Sequence, residues 1–363
     1  MPTADGAAYG NRVTHFSTSK RMAKVTDTIL NSTTFASRVI GMGMSFSEQT
    51  LNKTVKISKT NQGQFFSGLE TLNSAAVDTT IEMTYGDAGY THPFVDVMRE
   101  SFARANNSQD INQYKFRREE GQNEAMQDLS TAFYSVRTDD FVGLGAIVDD
   151  GTDSDSIGGQ SRTTYSELNA TVTASGGTLT LAKMSTLIDA ISDSYESENP
   201  TIGLTTWTVW SYFESLLSPV VRASYSTIGY NKLPVRGDEV VASKAELKGG
   251  AGFTALTYRG IPIIRDKACT SGYMYFLNEN YLDWYGRTIV PPQYRKFLSA
   301  VNLGRPTTIE GQAAKPTDYH GFFYQKDQMM QNQAGLIGRL YVIGQLASFQ
   351  PRRQGVLTGI TGV

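Results

Sequence analysis

Two stretches of the sequence alternate between apolar and polar residues, one from Leu51 to Lys59 and one from Val77 to Tyr85. Alternation with a period of two is typical of a β-strand that buries one face. The sequence therefore predicts two strands that pair as a ribbon. Its apolar positions are Leu51, Val55, Ile57, Val77, Ile81, Met83 and Tyr85.

The connection between these strands is too long for a tight turn, and it carries apolar residues that include Phe65 and Phe66. Because a two-stranded ribbon is marginally stable by itself in water, we expect another surface, most economically a neighbouring subunit, to cover it. Charged side chains on the two strands are further candidates for subunit contacts. Lysines on the first strand face carboxylates on the second, and each exposed pair would contribute less than ~1 kcal/mol. These residues are Lys53, Lys56, Lys59, Asp78 and Glu82.

A helical period follows a glycine-rich turn at Gly86 to Gly89 and predicts a long helix from about residue 108 to residue 135. Ser108 is a suitable N-cap, and the apolar positions run from Ile111 to Phe133. Glycine inside a helix costs roughly 1 kcal/mol relative to alanine, which favours a bend at that point. Gly121 inside this helix is therefore a candidate hinge, and Gly86 and Gly89, which flank the ribbon, are two further candidates.

The segment from Leu256 to Gly286 predicts a hairpin followed by a third strand. Arg259-Gly260 is the turn, because glycine tolerates a positive φ, and the Ile-Pro-Ile-Ile run after it favours a strand. An aromatic strand then runs from Tyr273 to Leu277. Earlier in the chain, Thr180 caps a predicted helix, and a second helical period begins near Trp210, so a sheet covered by helices is expected.

Composition limits the classes of function. A chain of 363 residues is long enough to bury a core, and its net charge of −2 gives no overall attraction to nucleic acid. Cys269 is the single cysteine, which excludes an intramolecular disulfide and a cysteine-built metal site. The sequence has neither the apolar core of a signal peptide nor a run of ~20 apolar residues that could span a bilayer.

No motif for catalysis or cofactor binding is found. The three histidines, His15, His92 and His320, lack metal-ligand spacing. The acidic run from Asp149 to Asp155 could bind a hard cation or form a solvated loop, but it lacks the glycine spacing and terminal glutamate of an EF-hand. Phosphate-binding and dinucleotide-binding loops are missing, as are the GxSxG, HExxH and CxxC motifs. The sequence therefore predicts neither an enzyme nor a bound cofactor or metal.

Two pairs of arginines stand out in a chain with few basic clusters. They could contact the phosphates of DNA or pair with carboxylates of a neighbouring subunit. We favour the subunit interface, since isolated pairs are weak indicators of nucleic-acid binding. The pairs are Arg117-Arg118 and Arg352-Arg353.

Three strings of residues together resemble the major capsid proteins of tailed bacteriophages. The first is Gly260-Ile-Pro-Ile-Ile with Asp266, then Leu277-Asn278 and Tyr281-Leu282. The second joins Phe141–Gly151 to Ile157–Tyr165, and the third is Gln350–Leu357 at the end of the chain. The resemblance runs in the right order from about Phe46 to Ile360. It implies an α+β fold with an axial domain, a peripheral domain with a long spine helix, an extended β-ribbon loop and an N-terminal arm.

The resemblance also implies a division of the chain. Residues 1–40 would form the N-terminal arm, and residues 41–89 the extended loop. The peripheral domain would comprise residues 90–145 and 288–363, with the spine helix at about 108–135. The axial domain would comprise residues 146–287.

The implied function is self-assembly into pentamers and hexamers of an icosahedral head that encloses double-stranded DNA. Implied partners are other copies of the chain, a portal protein, a decoration protein and, by weak non-specific contact, packaged DNA. The chain has no long charged helical segment before the arm, which favours a separate scaffolding protein. The location would be the virion capsid, assembled in the host bacterial cytoplasm. An encapsulin-like shell, or a soluble β-rich hydrolase or binding module, is the alternative.

Overall fold

The computed structural model describes most of the chain between residues 34 and 362. The described residues are 34–41, 43–46, 48, 50–58, 65–69, 78–98, 113–174, 176–194, 198–217, 226–228, 253–287, 292–294, 298–300, 308–309, 312–313, 321–331 and 333–362. Most of the predicted arm, the predicted N-cap Ser108 and Lys59 lie outside these ranges.

Helices and strands are mixed along the chain, as expected for an α+β protein. The helices are α1 (Thr34–Gly41), α2 (Gln113–Tyr134), α3 (Leu144–Ile147), α4 (Leu181–Ser194) and α5 (Trp207–Leu216). The strands up to residue 205 are β1 (Met44–Phe46), β2 (Thr50–Lys56), β3 (Thr80–Gly86), β4 (Ala88–Val97), β5 (Arg137–Thr138), β6 (Phe141–Val142), β7 (Ser156–Ile157), β8 (Gln160–Ser161), β9 (Thr171–Thr173), β10 (Gly177–Thr178) and β11 (Ile202–Thr205). The later strands are β12 (Ser226–Ile228), β13 (Phe253–Tyr258), β14 (Ile261–Arg265), β15 (Met274–Leu277), β16 (Asp283–Arg287), β17 (Leu298–Ala300), β18 (Thr308–Ile309), β19 (Gln312–Ala313), β20 (Phe322–Met329), β21 (Gly335–Ala347), β22 (Gly355–Leu357) and β23 (Ile360–Gly362).

A seven-stranded mixed sheet has the order β12-β13-β14-β11-β15-β22-β9. The predicted hairpin is β13 and β14, and its turn residues Arg259 and Gly260 have φ values of 51° and 83°. Both values are left-handed, as a two-residue type I′ turn requires. The hairpin and the following strand, β15, are therefore confirmed. Side chains of α4 and α5 pack with those of the sheet in one apolar cluster that includes Leu187, Ile188, Trp210, Phe213, Leu256, Ile263 and Phe276.

A second sheet is built around β21, which pairs with β4 along one edge and with β16 and β20 along the other. β1 and β17 complete it. α2 packs across β4 and β21, and its described bounds fall within the predicted helix at 108–135. Residues 108–112 lie outside the described part of the chain.

Gly143 and Gly145, which are not part of a nucleotide-binding motif, have a structural role at the end of α2. A Cβ at Gly143 would lie 2.2 Å from the carbonyl oxygen of Ser135, so only glycine fits there. The main-chain N–H of Gly145 donates to the same oxygen at 3.0 Å. Gly143 and Gly145 therefore bring the chain close to the last turn of α2 and satisfy its free carbonyl.

The main apolar core lies where α1, α2 and the β21 sheet meet. Phe35, Phe133 and Trp284 are buried there, with ring centroids 6.1 Å apart for Phe35 and Phe133 and 5.6 Å apart for Phe133 and Trp284. The predicted arm included residues 34–40, and this part of the prediction is wrong. These residues form α1, whose Phe35, Ala36, Val39 and Ile40 are buried.

The two sheets also cross the predicted boundary at residues 287 and 288. β16, in the predicted axial segment, pairs with β21. β22, in the predicted peripheral segment, pairs with β15 in the seven-stranded sheet. Because strand pairing is non-local, a single boundary in the sequence could not represent this exchange.

Candidate assembly surface

The ribbon formed by β2 and β3 is a two-stranded sheet separate from the two larger sheets. The strands are antiparallel, with Thr50 opposite Gly86 at one end and Lys56 opposite Thr80 at the other. One further bond, from the N–H of Ile57 to the carbonyl of Thr79 at 2.9 Å, continues the ladder. The predicted ribbon is confirmed over these residues.

The inward face of the ribbon is clamped by Phe349, just beyond the end of β21. The Tyr85 ring meets the Phe349 ring edge to face at 5.5 Å, and its hydroxyl donates to the carbonyl of Ser348 at 2.6 Å. The Lys53 Nζ lies 4.7 Å from the centre of the same Phe349 ring, a cation–π contact. Burial raises the pKa of Tyr85, so its hydroxyl stays protonated and remains a donor.

A loop between β7 and β8 supports the second ribbon strand. The N–H of Thr84 donates to the carbonyl of Gly158 at 2.9 Å, and the Gln160 side chain donates to the carbonyl of Glu82 at 2.8 Å. Gly158 has φ of 55°, and a Cβ there would lie 2.8 Å from Met83 Cε. Glycine therefore allows this loop to approach the ribbon closely.

The tip of the ribbon exposes apolar side chains. Phe65 and Leu69 are fully exposed, and Phe66 is 67% exposed. A group of large exposed apolar side chains on a protein surface often marks a site of interaction with another protein. The ribbon thus combines a fixed base with an apolar tip that the described part of its own subunit leaves uncovered.

Comparison with known proteins identifies this fold. No protein-family model matches the sequence, and no curated protein sequence matches it. Among solved structures, the cyanophage A-1(L) capsid asymmetric unit matches with a TM-score of 0.68 and 15% identity, covering 94% of this chain and 96% of that one. The chain has the tailed-phage capsid fold.

Two further structures have the same fold. The capsid of a native GTA particle matches with a TM-score of 0.57 and 9% identity, covering 94% of this chain and 95% of that one. The holo-SrpI encapsulin complex from Synechococcus elongatus PCC 7942 matches with a TM-score of 0.57 and 12% identity, covering 99% of this chain and 96% of that one. At these identities the likeness concerns the fold alone.

The predicted lysine–carboxylate pairs on the ribbon are not direct cross-strand pairs. Lys53 lies opposite Met83 on the inward face, and Glu82 lies opposite Thr54. Lys56 lies opposite Thr80, which leaves it a diagonal neighbour of Glu82 on the outer face. Asp78 accepts hydrogen bonds from the N–H and the hydroxyl of Thr80. The register error arose because alternation gives the faces of a strand but not its offset against the next strand.

Gly121, a predicted hinge in this capsid fold, has a packing role. It lies inside the uninterrupted helix α2, where a Cβ would be 2.2 Å from Phe94 Cε1 and 2.9 Å from His92 Cδ2. Glycine therefore lets α2 lie directly on β4. Gly86 and Gly89 have open space around a Cβ position, and Asp87 between them pairs with Arg287 at 2.9 Å. The hinge role of all three glycines stays a prediction.

Polar contacts beside Gly121 hold α2 to β4. The Tyr90 hydroxyl donates to Asp128 Oδ2 at 2.6 Å, and His92 Nε2 lies 3.3 Å from Glu124 Oε2. Burial, followed by the bond to Asp128 and its charge, raises the pKa of Tyr90. Sequence reasoning treated His92 as an isolated residue, because the helix that faces it begins more than twenty positions later.

The arginine pairs have separate roles. Arg353 is buried within its own subunit, where it pairs with Glu198 and lies 4.1 Å from the Tyr281 ring centre, so the prediction of an interface or DNA contact is wrong for this residue. Burial opposes the ionisation of Glu198, but bonds to its carboxylate and the charge of Arg353 outweigh it and lower the pKa. Arg352 is exposed, and Arg117 and Arg118 lie in α2 with side chains outside the described part of the structure.

The acidic run from Asp149 to Asp155 is a loop closed by its own main chain. Asp149 is buried and accepts from the N–H groups of Gly151 and Ser154, both at 2.9 Å. Within the described ranges, no group of three or more His, Cys, Asp or Glu side chains is placed to hold a metal ion. None of the described helices is long and apolar enough to cross a membrane.

Three buried charged residues were missed by sequence reasoning. Arg162 donates to four main-chain carbonyls, those of Ala146, Ile147, Asp149 and Leu168, and burial lowers its pKa. Glu279 pairs with Arg38 of α1, and Asp266 accepts from the N–H of Phe35. The position of Asp266, directly after an apolar strand in the first capsid-like string, was the one sign that this residue could be buried. Its hydrogen-bond partner, Phe35, lies 231 positions away in the sequence and could not be inferred.

Proposed function

We propose that this chain is the major capsid protein of a tailed bacteriophage and assembles into the pentamers and hexamers of an icosahedral head that encloses double-stranded DNA. The observation that carries the proposal is the ribbon, clamped at its base and apolar at its tip, on a capsid fold. A subunit that exposes Phe65, Phe66 and Leu69 requires a second surface to cover them. In a closed shell, every tip has such a neighbour.

The parts of the subunit follow from this proposal. α2 is the spine helix, and the ribbon of β2 and β3 is the extended loop. The seven-stranded sheet belongs to the axial domain, and the sheet around β21 belongs to the peripheral domain. The N-terminal arm comprises the residues before α1.

Assembly is then a matter of many modest contacts. Burial of apolar surface contributes ~25 cal/mol per Å², so the two phenylalanines and the leucine of one tip supply a few kcal/mol between them. Repeated around every subunit, such contacts close the shell without any one of them being strong. Pentamers and hexamers of one sequence require small adjustments, for which Gly86, Gly89 and Gly121 are the proposed positions.

The proposed partners are other copies of the chain, a separate scaffolding protein, a portal protein and a decoration protein. The net charge of −2 supports only weak, non-specific contact with packaged DNA. The protein would be assembled in the host bacterial cytoplasm and would reside in the virion capsid. A shell subunit needs no catalytic group or cofactor.

Electron microscopy tests the proposal directly. The full chain is expressed alone and together with the gene product encoded just upstream, and the purified material is imaged. Closed shells or curved sheets are expected. A monodisperse monomer under both conditions would contradict the proposal and favour a hydrolase or binding module.

The role of the ribbon tip is tested by a triple variant, Phe65→Ser, Phe66→Ser and Leu69→Ser. Because all three side chains are exposed, the variant subunit should fold with unchanged thermal stability but form fewer shells. Gly68→Ala in the same loop is the matched control, since a Cβ there meets nothing within 4 Å. Equal shell yields for the triple variant and the control would exclude the tip as an assembly contact.

An encapsulin-like shell is the second candidate, favoured by the match to the SrpI encapsulin over nearly the whole chain. The two candidates differ in cargo. Nuclease-resistant double-stranded DNA in particles from producing cells supports the phage head, whereas particles that contain enzyme and no DNA support the encapsulin. Portal and terminase genes beside this one would also favour the phage head.

A further inference from the structure

Trp207 and Arg265 form a stacked pair where two interior strands of the seven-stranded sheet end. β11 and β14 are parallel neighbours, with Thr205 opposite Arg265, so their carboxyl ends lie side by side. Thr206 then caps α5 by accepting from the N–H of Val209, which makes Trp207 the first residue of the helix. The Arg265 guanidinium carbon lies 3.8 Å from the ring centre of Trp207 and 4.9 Å from that of Trp210.

The two indoles differ in exposure. Trp210 is buried, and its Nε1 donates to the carbonyl of Ile263 at 3.3 Å. Trp207 is 49% exposed and is the most exposed tryptophan of the chain, since Trp284 is buried as well. A half-exposed indole that holds an arginine presents a large, rigid apolar surface to solvent.

The arginine of this pair has free donors. Stacking covers the face of a guanidinium but leaves its N–H groups available in the plane. Arg38 and Arg353 each bind a carboxylate within the subunit, whereas the side chain of Arg265 makes no hydrogen bond or ion pair with any described residue. The pair therefore offers a fixed cation beside an apolar ring, which matches a carboxylate on a protein surface.

We infer that the Trp207–Arg265 pair is a contact between subunits, in which Arg265 binds a carboxylate of a second copy of this chain while Trp207 is covered. Tryptophan and arginine are the residue types most enriched among the energetically dominant contacts of protein interfaces. The chain carries 35 acidic residues, and Asp150, Asp153 and Asp155 are exposed on one loop, so a second copy offers suitable carboxylates. The net charge of −2 gives the chain no general attraction to DNA, which favours a protein carboxylate as the partner.

This inference rests on the proposed function, and tryptophan fluorescence separates the two. Acrylamide quenching is measured on unassembled subunits and on assembled shells, for the natural chain and for Trp207→Phe. In unassembled subunits the natural chain should be quenched more than the variant, because Trp210 and Trp284 are buried. In shells this excess should be lost. An unchanged excess in shells overturns the inference and leaves the proposed function standing, whereas failure to form shells counts against the proposed function.

The carboxylate partner is tested by Arg265→Gln, with Arg259→Gln as the matched control. Arg259 is an exposed arginine that already pairs with Asp189 inside the subunit. Arg265→Gln should raise the protein concentration needed for assembly, and Arg259→Gln should leave it unchanged. Equal behaviour of the two variants overturns the carboxylate contact, and loss of quenching only in DNA-filled shells overturns the second copy as the partner.

Discussion

The main-chain N–H of Phe35 donates a hydrogen bond of 3.1 Å to Asp266 Oδ2, although 231 positions separate the two residues. Asp266 lies directly after β14, and its other oxygen accepts from the N–H of Ala268 at 2.9 Å. A carboxylate at the first turn of α1 also interacts favourably with the positive end of the helix dipole. This bond joins the end of the β13–β14 hairpin to the first turn of α1.

Removal of this cap should destabilise the subunit. Asp266→Ala leaves the buried N–H of Phe35 without an acceptor, and we expect the free energy of unfolding to fall by ~1–3 kcal/mol. Asp266→Asn retains one acceptor oxygen and should lose less. Urea unfolding of unassembled subunits measures both, and an equal loss for the two variants would show that the cap bond is unimportant.

The same carboxyl should make stability depend on pH. Burial, opposed by the bonds from Ala268 and Phe35, raises the pKa of Asp266 above its value in the unfolded chain. Between these two values the folded state binds the proton more tightly, so the contribution of Asp266 to stability is full below the unfolded pKa and declines as pH rises to the folded pKa. Stability of the natural chain relative to Asp266→Asn should therefore decrease from about pH 4 upward. A difference between the natural chain and Asp266→Asn that stays constant across this pH range would contradict the prediction.

A buried ion pair should provide the second anchor of α1. The Arg38 guanidinium binds both oxygens of Glu279, whose side chain is buried. Arg38→Gln leaves that carboxylate unpaired and should lower the free energy of unfolding by ~3–5 kcal/mol. The double variant with Glu279→Gln should lose less than the sum of the single variants. Additive losses in this cycle would contradict direct pairing.

The exposed pair of Arg259 and Asp189 serves as the comparison. Its double-mutant cycle, built from Arg259→Gln and Asp189→Asn, should give less than ~1 kcal/mol of coupling, because solvent screens both charges.

Gly121 should tolerate no side chain. A methyl group there would collide with Phe94, and we expect Gly121→Ala to lower the free energy of unfolding by ~1–2 kcal/mol, after a helix-propensity gain of up to ~1 kcal/mol. Phe94→Leu in the same chain should recover part of the loss. Gly89→Ala, where a Cβ meets nothing within 4 Å, is the control, and a stabilising Gly121→Ala would show that β4 moves aside easily.

Local patterns predicted much of the fold. The ribbon, the hairpin at Arg259-Gly260 and the body of α2 each follow from a hydrophobic period and a turn or helix signal within about 30 residues. Thr180 also caps α4 as predicted, accepting from the N–H of Lys183 at 3.3 Å. The apolar tip at Phe65 and Phe66 was recognised because an exposed loop with two phenylalanines is unusual in any context.

Long-range contacts were not predictable in the same way. Lys53 was expected to pair with a carboxylate and instead lies over Phe349, because a strand's register depends on the partner strand and not on its own alternation. Arg353 was expected at an interface and is buried against Glu198, which is 155 positions away. Both errors concern long charged side chains, which can place their charge on several different surfaces.

The sequence by itself determined which segments become strands and helices, where the chain turns, and which short strings resemble capsid proteins, since these depend on residues close together in the chain. Only the tertiary structure decided that residues 34–41 belong to the core, that β16 and β22 exchange between the two sheets, and that Trp207 and Arg265 share one exposed edge. The reason is physical: burial and hydrogen bonding of a side chain depend on groups brought to it by folding, and a single sequence carries no record of which distant groups those are.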